Sequence, residues 1–416
     1  MNTQAIPINK VKLMLYFLLS GFILSQAYRT MGGILSVPLK TEFMLNSDRL
    51  AGVIGSFHIA FGGLQLLIGL LIDNFGIRKT ILAISPFSVI GAVLSAAAVT
   101  PAMLQWGQIL IGFGCAPAFL VCIVLMARHF TGKQFSMMYA FALGSGSLGL
   151  VFTSTPTAWL VEHLGWRSCF YILAVLSFLT WLLIFFGVRN VDEKSDSAAL
   201  SIKQKAVTAV RSISGYKSLL QIRETPGILA LVFVIYAAFL TLRGLWLGPL
   251  LVERHQVSLV FAGNLALLLS IISVFSPMLF GRLDPGPGKR YRYLCIEPWI
   301  LVVGFVVLAY SQQLWVSILS IVVIAIAACN TVWQLADAKE VYPQHLQGRA
   351  IALFNTSLFM GASFMQWISG KAHDIFRLQD GDIFTSAFLM SAIVLSVGIV
   401  AYIVLRRPVR GVPANR

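Results

Sequence analysis

Two arginines lie deep inside long apolar stretches of this 416-residue chain, at corresponding places in its two halves. Arg29 follows the run VKLMLYFLLSGFILSQAY, and Arg243 follows ILALVFVIYAAFLTL. A cation inside a hydrocarbon layer costs at least ~2.5–3.5 kcal/mol on insertion scales, so it needs a partner or a function. Their spacing, near half the chain length, indicates a duplicated fold with one inward-facing cation in each half.

The composition places the chain in a membrane. Hydrophobic residues make up 58% of it, charged residues only 11%, and the mean hydropathy is +0.83. A soluble domain has about 25% charged residues. With about 20 apolar residues needed for each crossing, the sequence predicts an all-α membrane protein with about twelve transmembrane helices in two pseudo-symmetric six-helix bundles. The predicted spans are 12–35, 50–72, 80–99, 103–127, 137–160, 168–188, 227–250, 259–281, 293–311, 314–336, 347–370 and 384–405.

The basic residues give the predicted orientation. If both termini are cytoplasmic, most of the 31 lysines and arginines fall in cytoplasmic connections, as the positive-inside rule requires. The net charge of +15 is therefore explained by topology, and no nucleic-acid partner is expected. We expect a multi-pass protein of a bacterial-type inner (plasma) membrane. The five cysteines are scattered through or beside apolar runs without a CxxC, which predicts neither a disulfide framework nor a metal site.

A polar stretch divides the chain into two sets of six spans. We predict an N-terminal bundle over 1–188, a cytoplasmic linker over 189–226 and a C-terminal bundle over 227–416. Acidic turn residues and the two arginines recur at a nearly constant offset between the halves, which is typical of parallel repeats. The middle of the linker is either a surface-lying amphipathic helix or a flexible tether.

One loop carries a recognisable motif. Residues 69–81 read GLLIDNFGIRKTI and join the second and third spans. The loop resembles the signature loop of the major facilitator superfamily, and span count and repeat agree over essentially the whole chain. Asn74 and Ile77 stand where the family usually has basic residues, and the second copy, at 281–290, is degenerate.

The resemblance implies that these loops gate the cytoplasmic side. Asp73 would interact with the N-terminal dipole of span 11, near 345–349, in one conformation and release it in the other. The predicted gating residues are Gly69, Asp73, Gly76, Arg78, Lys79 and Asp284.

Polar residues inside the spans make the predicted substrate site. The hypothesis is that Arg29 and Arg243 clamp an anion, because guanidinium pairs well with carboxylate or phosphate. The arginine pair resembles that of the family's organophosphate exchangers, and the wider sequence resembles its nitrate/nitrite-like and organic-anion members. The alternative is that each arginine snorkels or binds a backbone carbonyl. The predicted substrate-binding residues are Arg29, Arg243, His58, Trp246, Gln65, Asn330, Gln334 and Asn355.

The driving force stays open at this stage. The sequence places no carboxylate near the middle of a span, since Glu297 and Asp337 fall near predicted helix ends and read as cap or gate residues. His58 is the one titratable candidate on the path. Span 4 has Gln108 where the family usually has an arginine associated with proton coupling. Proton coupling, anion exchange and facilitated flux therefore remain alternatives.

The leading prediction is a secondary transporter of a small anionic solute, organic or inorganic, working by alternating access as a monomer without a cofactor. An exporter of a siderophore-like or drug-like amphipathic compound is the first alternative, although span 5 lacks the family's exporter signature. A transporter-like sensor or scaffold without flux is the second. No motif of a membrane enzyme is present in the sequence, so no enzymatic activity is expected.

Overall fold

The computed structural model is all-helical and describes residues 7–130, 132–189, 218–286, 288–343, 347–376 and 382–406. Within these residues 12 helices are long and apolar enough to cross a membrane. They are α1 (Ile8–Glu42), α2 (Ser47–Ile72), α3 (Asn74–Ala96), α4 (Pro101–His129), α5 (Met137–Leu164), α6 (Trp166–Gly187), α7 (Thr225–Arg254), α8 (Leu259–Arg282), α9 (Arg290–Tyr310), α10 (Leu314–Val341), α11 (Arg349–Phe376) and α12 (Ile383–Leu405). The predicted fold class and span count are confirmed.

Six helices precede residues 190–217 and six follow them. The predicted linker falls mostly on those residues, which lie outside the described part, so its helix and the bundle boundaries stay predictions. The helix ends differ from the predicted spans by a few residues, because helices continue past the apolar run into polar ends. Since the helices alternate in direction, α1 begins and α12 ends on one side of the bundle. We call it the terminal side, and the opposite side the far side.

Several helices change geometry where they face the interior. In α7 the backbone is π-helical over Leu242–Trp246, the segment that carries Arg243. In α10 a 3₁₀ segment covers Ala328–Asn330. In α9 two α-helical segments, Arg290–Ile296 and Trp299–Tyr310, are separated at Glu297 and Pro298, because a proline cannot donate the hydrogen bond that would continue the first segment. Such local departures are frequent at functional positions.

The two halves touch closely on the far side. At the crossing of α1 and α7, a Cβ on Gly33 would lie 1.9 Å from the Arg243 carbonyl oxygen, and one on Gly248 would lie 2.2 Å from the Gly33 carbonyl oxygen. Only glycine permits this backbone-to-backbone contact. Helices α2 and α11 are similarly close, since a Cβ on Gly370 would lie 2.5 Å from the Ala51 Cβ.

Polar contacts add to the far-side closure. Lys40 and Glu253 pair at 2.6 Å across α1 and α7, and Asp48 and Lys371 approach to 3.9 Å across α2 and α11. The Ser363 hydroxyl donates to the Gly55 carbonyl at 3.0 Å. The helices therefore seal the space between the halves on the far side.

Candidate substrate cavity

A cavity of about 560 Å³ lies between the two halves. Residues of α1, α2, α4, α5, α7, α8, α10 and α11 line it. In each of these helices the lining residues lie at the centre or in the terminal-side half. The far-side contacts therefore separate the cavity from the far side. The size of the cavity suits a small organic solute.

Arg29 is the one charged side chain among the described residues that line this cavity. The rest of the wall is mostly apolar and aromatic, with a few neutral polar groups. The polar and aromatic lining residues are Gln26, Thr30, Gln65, Tyr139, Ser147, Tyr236, Ser273, Thr331, Asn355, Phe22, Phe61, Phe119, Phe239, Phe354 and Phe359. A single cation, with no carboxylate among the described residues of the wall, favours a negatively charged occupant.

Aromatic faces surround Arg29. Its guanidinium carbon lies 4.8 Å from the Phe61 ring centroid on α2 and 4.5 Å from the Phe359 centroid on α11. Ring faces attract a cation but accept no conventional hydrogen bond. The buried Arg29 Nε has no hydrogen-bond partner among the described residues. The side chain is thus held in place while its N–H donors stay available to a ligand.

Arg243 has a different environment. It is only 1% exposed and does not line the cavity. Its Nη2 donates to Ser270 Oγ at 2.8 Å and to the Leu150 carbonyl at 3.0 Å, with Ser154 Oγ at 3.2 Å and the Ala266 carbonyl at 3.4 Å. These acceptors belong to α5 and α8, so Arg243 joins the two halves. This geometry is the backbone-binding alternative stated from the sequence.

The other predicted substrate residues divide in the same way. Gln65 and Asn355 line the cavity, although Gln65 Nε2 also donates to the Ala116 carbonyl at 3.2 Å. Trp246 is buried, and its Nε1 donates to Ser369 Oγ at 2.9 Å. His58 is buried beside the Phe57 ring, outside the cavity wall.

Asn330 and Gln334 face away from the cavity. Both are buried, and Asn330 Nδ2 donates to Glu297 Oε2 between α10 and α9. Gln334 Nε2 donates to Asn330 Oδ1 at 2.6 Å. The structure therefore brings these two residues to a carboxylate that the sequence placed at a helix end.

The predicted gating residues lie at two helix junctions on the terminal side: Gly69 near the end of α2, Gly76, Arg78 and Lys79 near the start of α3, and Asp284 between α8 and α9. Gly76 has φ 81°, a conformation that favours glycine. Arg78 Nη2 donates to the Phe185 carbonyl at 2.9 Å, which ties the loop to α6. Lys79 is exposed, and a Cβ on Gly69 would meet no atom within 4 Å. The Asp73 side chain and residues 344–346 lie outside the described part, so their predicted contact stays a prediction.

The second loop pairs its own charges. Arg290 Nε donates to Asp284 Oδ1 at 2.7 Å, and this hydrogen bond holds the pKa of the Asp284 carboxyl below its usual range. Arg290 also pairs with Glu340 on α10. In this conformation Asp284 therefore stabilises the turn between α8 and α9.

Sequence reasoning missed several lining residues. Gln26 lies one turn before Arg29 on the same helix face, a spacing that could have indicated it. Phe61, Tyr236 and Phe359 gave no such signal, because aromatic residues in an apolar span fit helix packing equally well. Only the helix arrangement shows that they face the cavity.

A second cavity, of about 530 Å³, lies on the far side between α2, α4 and α11. Its Asp48 and Lys371 face each other, and Lys371 Nζ lies 5.2 Å from the Trp367 ring centroid. Asp48 and Lys371 are partly exposed, and Arg49, which also lines this cavity, is exposed. Because Arg29 is buried and has no acidic partner in its wall among the described residues, we consider the central cavity the better substrate site.

The family comparison matches the fold. A family model described as Major Facilitator Superfamily matches residues 17–366, which is most of the chain. Solved structures agree in fold. A D-xylose–proton symporter superposes with a TM-score of 0.68 at 14% identity, covering 93% of this chain and 97% of that one. A bacterial homologue of the human lysosomal transporter Spinster, in an inward-facing and occupied conformation, gives 0.72 at 15%, covering 96% and 98%.

Curated relatives are more similar in sequence than these structures, but two of the three named next match less than half of the chain. A gallate transporter of Pseudomonas putida is 31% identical over 166 residues, covering 36% of this chain and 34% of its own length. A probable galactarate/D-glucarate transporter of Bacillus subtilis is 25% identical over 345 residues, covering 75% and 74%. A uridine/deoxyuridine transporter of Lactococcus lactis is 26% identical over 140 residues. The chain spans 29% and 38% of the length of the first two curated relatives it matches.

Proposed function

Because the chain belongs to the Major Facilitator Superfamily, whose members are transporters and not enzymes, we propose that it carries a small organic anion through the central cavity. The observation that carries this proposal is Arg29, a cavity-lining cation without an acidic partner in the described wall. A guanidinium pairs with a carboxylate through two parallel hydrogen bonds. In a poorly hydrated cavity such a contact contributes more than at a surface.

The wall favours a carboxylate with a ring or a short polar chain. Phe61 and Phe359 hold Arg29 from two sides and leave a flat apolar surface around the bound group. Tyr236, Gln26 and Asn355 can hydrogen-bond hydroxyls on the remainder of the solute. The relatives named for gallate and for galactarate or glucarate support this class, since each of those compounds is a hydroxylated carboxylate. The finer assignment to nitrate/nitrite-like or organophosphate members has no comparable support.

The conformation fits one state of an alternating-access cycle. With both termini in the cytoplasm of a bacterial-type inner membrane, the far side is the outer side, and the cavity faces the cytoplasm. Opening to the outside would require the α1–α7 and α2–α11 contacts to separate. The ion pairs and the Arg243 hydrogen bonds would break in that step. A monomer suffices for this cycle, because the cavity is complete within one chain.

The direct test is transport by purified protein in lipid vesicles. Radiolabelled gallate and glucarate would be offered, with uridine as an uncharged comparison solute. We expect uptake of at least one carboxylate by the unaltered protein and its loss in Arg29→Gln. Carboxylate uptake by Arg29→Gln at the unaltered rate would refute the anion site.

The gating part of the proposal has a separate test. Asp73→Asn removes the charge that would interact with the N-terminus of α11 while keeping the side-chain shape. We expect slower transport with an unchanged amount of protein in the membrane, measured as uptake divided by immunoblot signal. Normal transport by Asp73→Asn would remove this loop from the mechanism.

One observation favours a second candidate, an exporter of an amphipathic compound. Most of the cavity wall is apolar, as a drug-like solute would require. A puromycin resistance protein of Streptomyces alboniger is 32% identical over 136 residues, covering 31% of this chain and 26% of its own length. Efflux of an amphipathic dye that persists in Arg29→Gln would favour this candidate over the anion carrier.

A further inference from the structure

A half-buried glutamate joins two helix breaks beside the cavity. Glu297 lies where α9 is interrupted, and Asn330 ends the 3₁₀ segment of α10. Asn330 Nδ2 donates to Glu297 Oε2, and Gln334 Nε2 donates to Asn330 Oδ1. Glu297 caps the C-terminal end of the first α9 segment, so it lies at a break inside the membrane-spanning helix and not at the end of that helix. It lies seven residues beyond Arg290, about 10 Å along the helix at 1.5 Å per residue.

Two oxygen atoms of this cluster have no hydrogen-bond donor among the described residues. Glu297 Oε1 and Gln334 Oε1 are both buried and have no hydrogen-bond partner among the described residues. Both atoms are acceptors, so neither can satisfy the other while Glu297 is ionised. An ionised carboxylate with a single buried donor is costly in a membrane interior. One proton on Glu297 neutralises the charge and converts an unsatisfied acceptor into a donor.

No basic side chain in the described part of the chain pairs with Glu297. Among the described residues, the nearby cations pair elsewhere: Arg290 with Asp284 and Glu340, and Arg406 with Asp337 at 2.8 Å. The titratable group that faces Glu297 from α10 is the Cys329 thiol, which supplies no positive charge. Asp337, two turns further along α10, is held with Arg406 and the Tyr402 hydroxyl of α12.

The cluster is coupled to the substrate wall through α10. Ala328, Cys329 and Thr331 line the cavity, whereas Asn330, between them in sequence, holds Glu297 on the opposite face. A change in the Asn330–Glu297 hydrogen bond must therefore act on the 3₁₀ segment that forms part of the cavity wall.

We propose that Glu297 is a proton-binding site whose occupancy sets the geometry of the Ala328–Asn330 segment and thereby couples anion transport to protons. This inference rests on the proposed function for its transport consequence, but proton binding itself does not require it. A proton entering with the anion would neutralise the carried charge and make uptake pH-driven.

The experiment reads proton binding and transport separately. Infrared difference spectra of purified protein, recorded as pH is varied, report protonation through the C=O stretch of a carboxylic acid. We expect a titrating band that is lost in Glu297→Gln and kept in the control Glu162→Gln, which removes an exposed carboxylate elsewhere in the membrane part. Arg29→Gln should keep the band, so failure of the anion site leaves this readout intact.

Transport supplies the second readout. With an imposed pH gradient, we expect Glu297→Gln to lose at least tenfold in anion accumulation while exchange of labelled for unlabelled anion persists. Persistent exchange also shows that the variant is folded. An unchanged titrating band in Glu297→Gln would overturn the proposal, and so would undiminished pH-driven accumulation. Accumulation that follows a sodium gradient and ignores pH would equally overturn it, because the site would then bind a metal cation.

Discussion

The two membrane arginines occupy equivalent junctions but have different surroundings. Arg29 on α1 lies where α2 of its own half meets α11 of the other, and Arg243 on α7 lies where α8 meets α5. At the first junction the neighbours are the Phe61 and Phe359 rings. At the second they are two hydroxyls and two carbonyls. Nε lacks a hydrogen-bond partner in both arginines, but Arg243 gives its Nη2 donor to protein acceptors, whereas no protein acceptor holds the guanidinium of Arg29 in the described part.

The difference shows how a duplicated fold can acquire one site from two similar positions. Hydrogen-bond acceptors around Arg243 compete with any ligand for its donors. Ring faces around Arg29 hold the charge and leave its donors available. A clamp by both arginines, as the sequence suggested, would require Arg243 to release its contacts in another conformation. That role of Arg243 stays a prediction. The variants below test whether Arg29 binds the anion while Arg243 holds the two halves together.

The largest effect is expected at Arg29. Arg29→Lys keeps the charge but loses the paired hydrogen-bond geometry, and Arg29→Gln loses both. Because a hydrogen bond to a charged group contributes about 1.5–3 kcal/mol, Arg29→Gln should weaken carboxylate transport by roughly 10- to 150-fold. The transport rate of Arg29→Lys should lie between the rates of the unaltered protein and Arg29→Gln. Initial uptake rates in vesicles measure this order, and equal rates in all three would exclude direct binding.

Arg243→Gln should mainly affect stability and the far-side closure. The substitution removes a donor shared by four acceptors, and the carbonyls of Leu150 and Ala266 lose that contact. We expect a loss of about 1–3 kcal/mol in the free energy of unfolding, seen as a lower melting temperature in detergent. Carboxylate binding should persist. A melting temperature equal to that of the unaltered protein would contradict the cross-linking role.

Gly33→Ala tests the backbone contact beside Arg243. The new Cβ would lie 1.9 Å from the Arg243 carbonyl oxygen, so α1 and α7 must separate. We expect the substitution to destabilise the conformation with the closed far side by about 1–3 kcal/mol, as overpacking does in a protein core. A cysteine introduced near the far-side ends of these helices should react faster with a membrane-impermeant reagent. Gly63→Ala is the matched control, because a Cβ there meets no atom within 4 Å.

The smallest effect is expected at the Lys40–Glu253 pair. Both side chains are about 30% exposed, and partly solvated pairs contribute about 0.2–1 kcal/mol. Lys40→Gln and Glu253→Gln should each change the transport rate by less than about fivefold. The exchanged pair Lys40→Glu with Glu253→Lys should restore it. Abolished transport in either single variant would mean that the pair does more than hold the far side closed.

Much of the fold could be predicted from the sequence. Apolar runs, basic loops and the loop at residues 69–81 sufficed for twelve spans and for the family. These features are local or periodic along the chain, so a single sequence contains them. Helix breaks such as Glu297–Pro298 were missed, because the cost of a break depends on which neighbouring side chain hydrogen-bonds the polar groups at that place.

The site was harder to predict. The sequence indicated that two arginines are buried, but burial does not say whether the neighbours are rings or hydrogen-bond acceptors. The partners of Arg243 lie 23 to 93 residues away in the chain. Asn330 and Gln334 were predicted to bind substrate because they are polar residues in a span. The structure shows Asn330 donating to Glu297 and Gln334 donating to Asn330, and their substrate role stays a prediction.

The central claim is that the arginine facing the cavity binds the anion and the arginine in the interface does not. The most direct measurement is the carboxylate-dependent increase in melting temperature of Arg29→Gln and Arg243→Gln, each compared with its own ligand-free state. The account predicts that Arg243→Gln melts lower but keeps the increase, whereas Arg29→Gln loses it. An increase kept by Arg29→Gln and lost by Arg243→Gln would contradict the account.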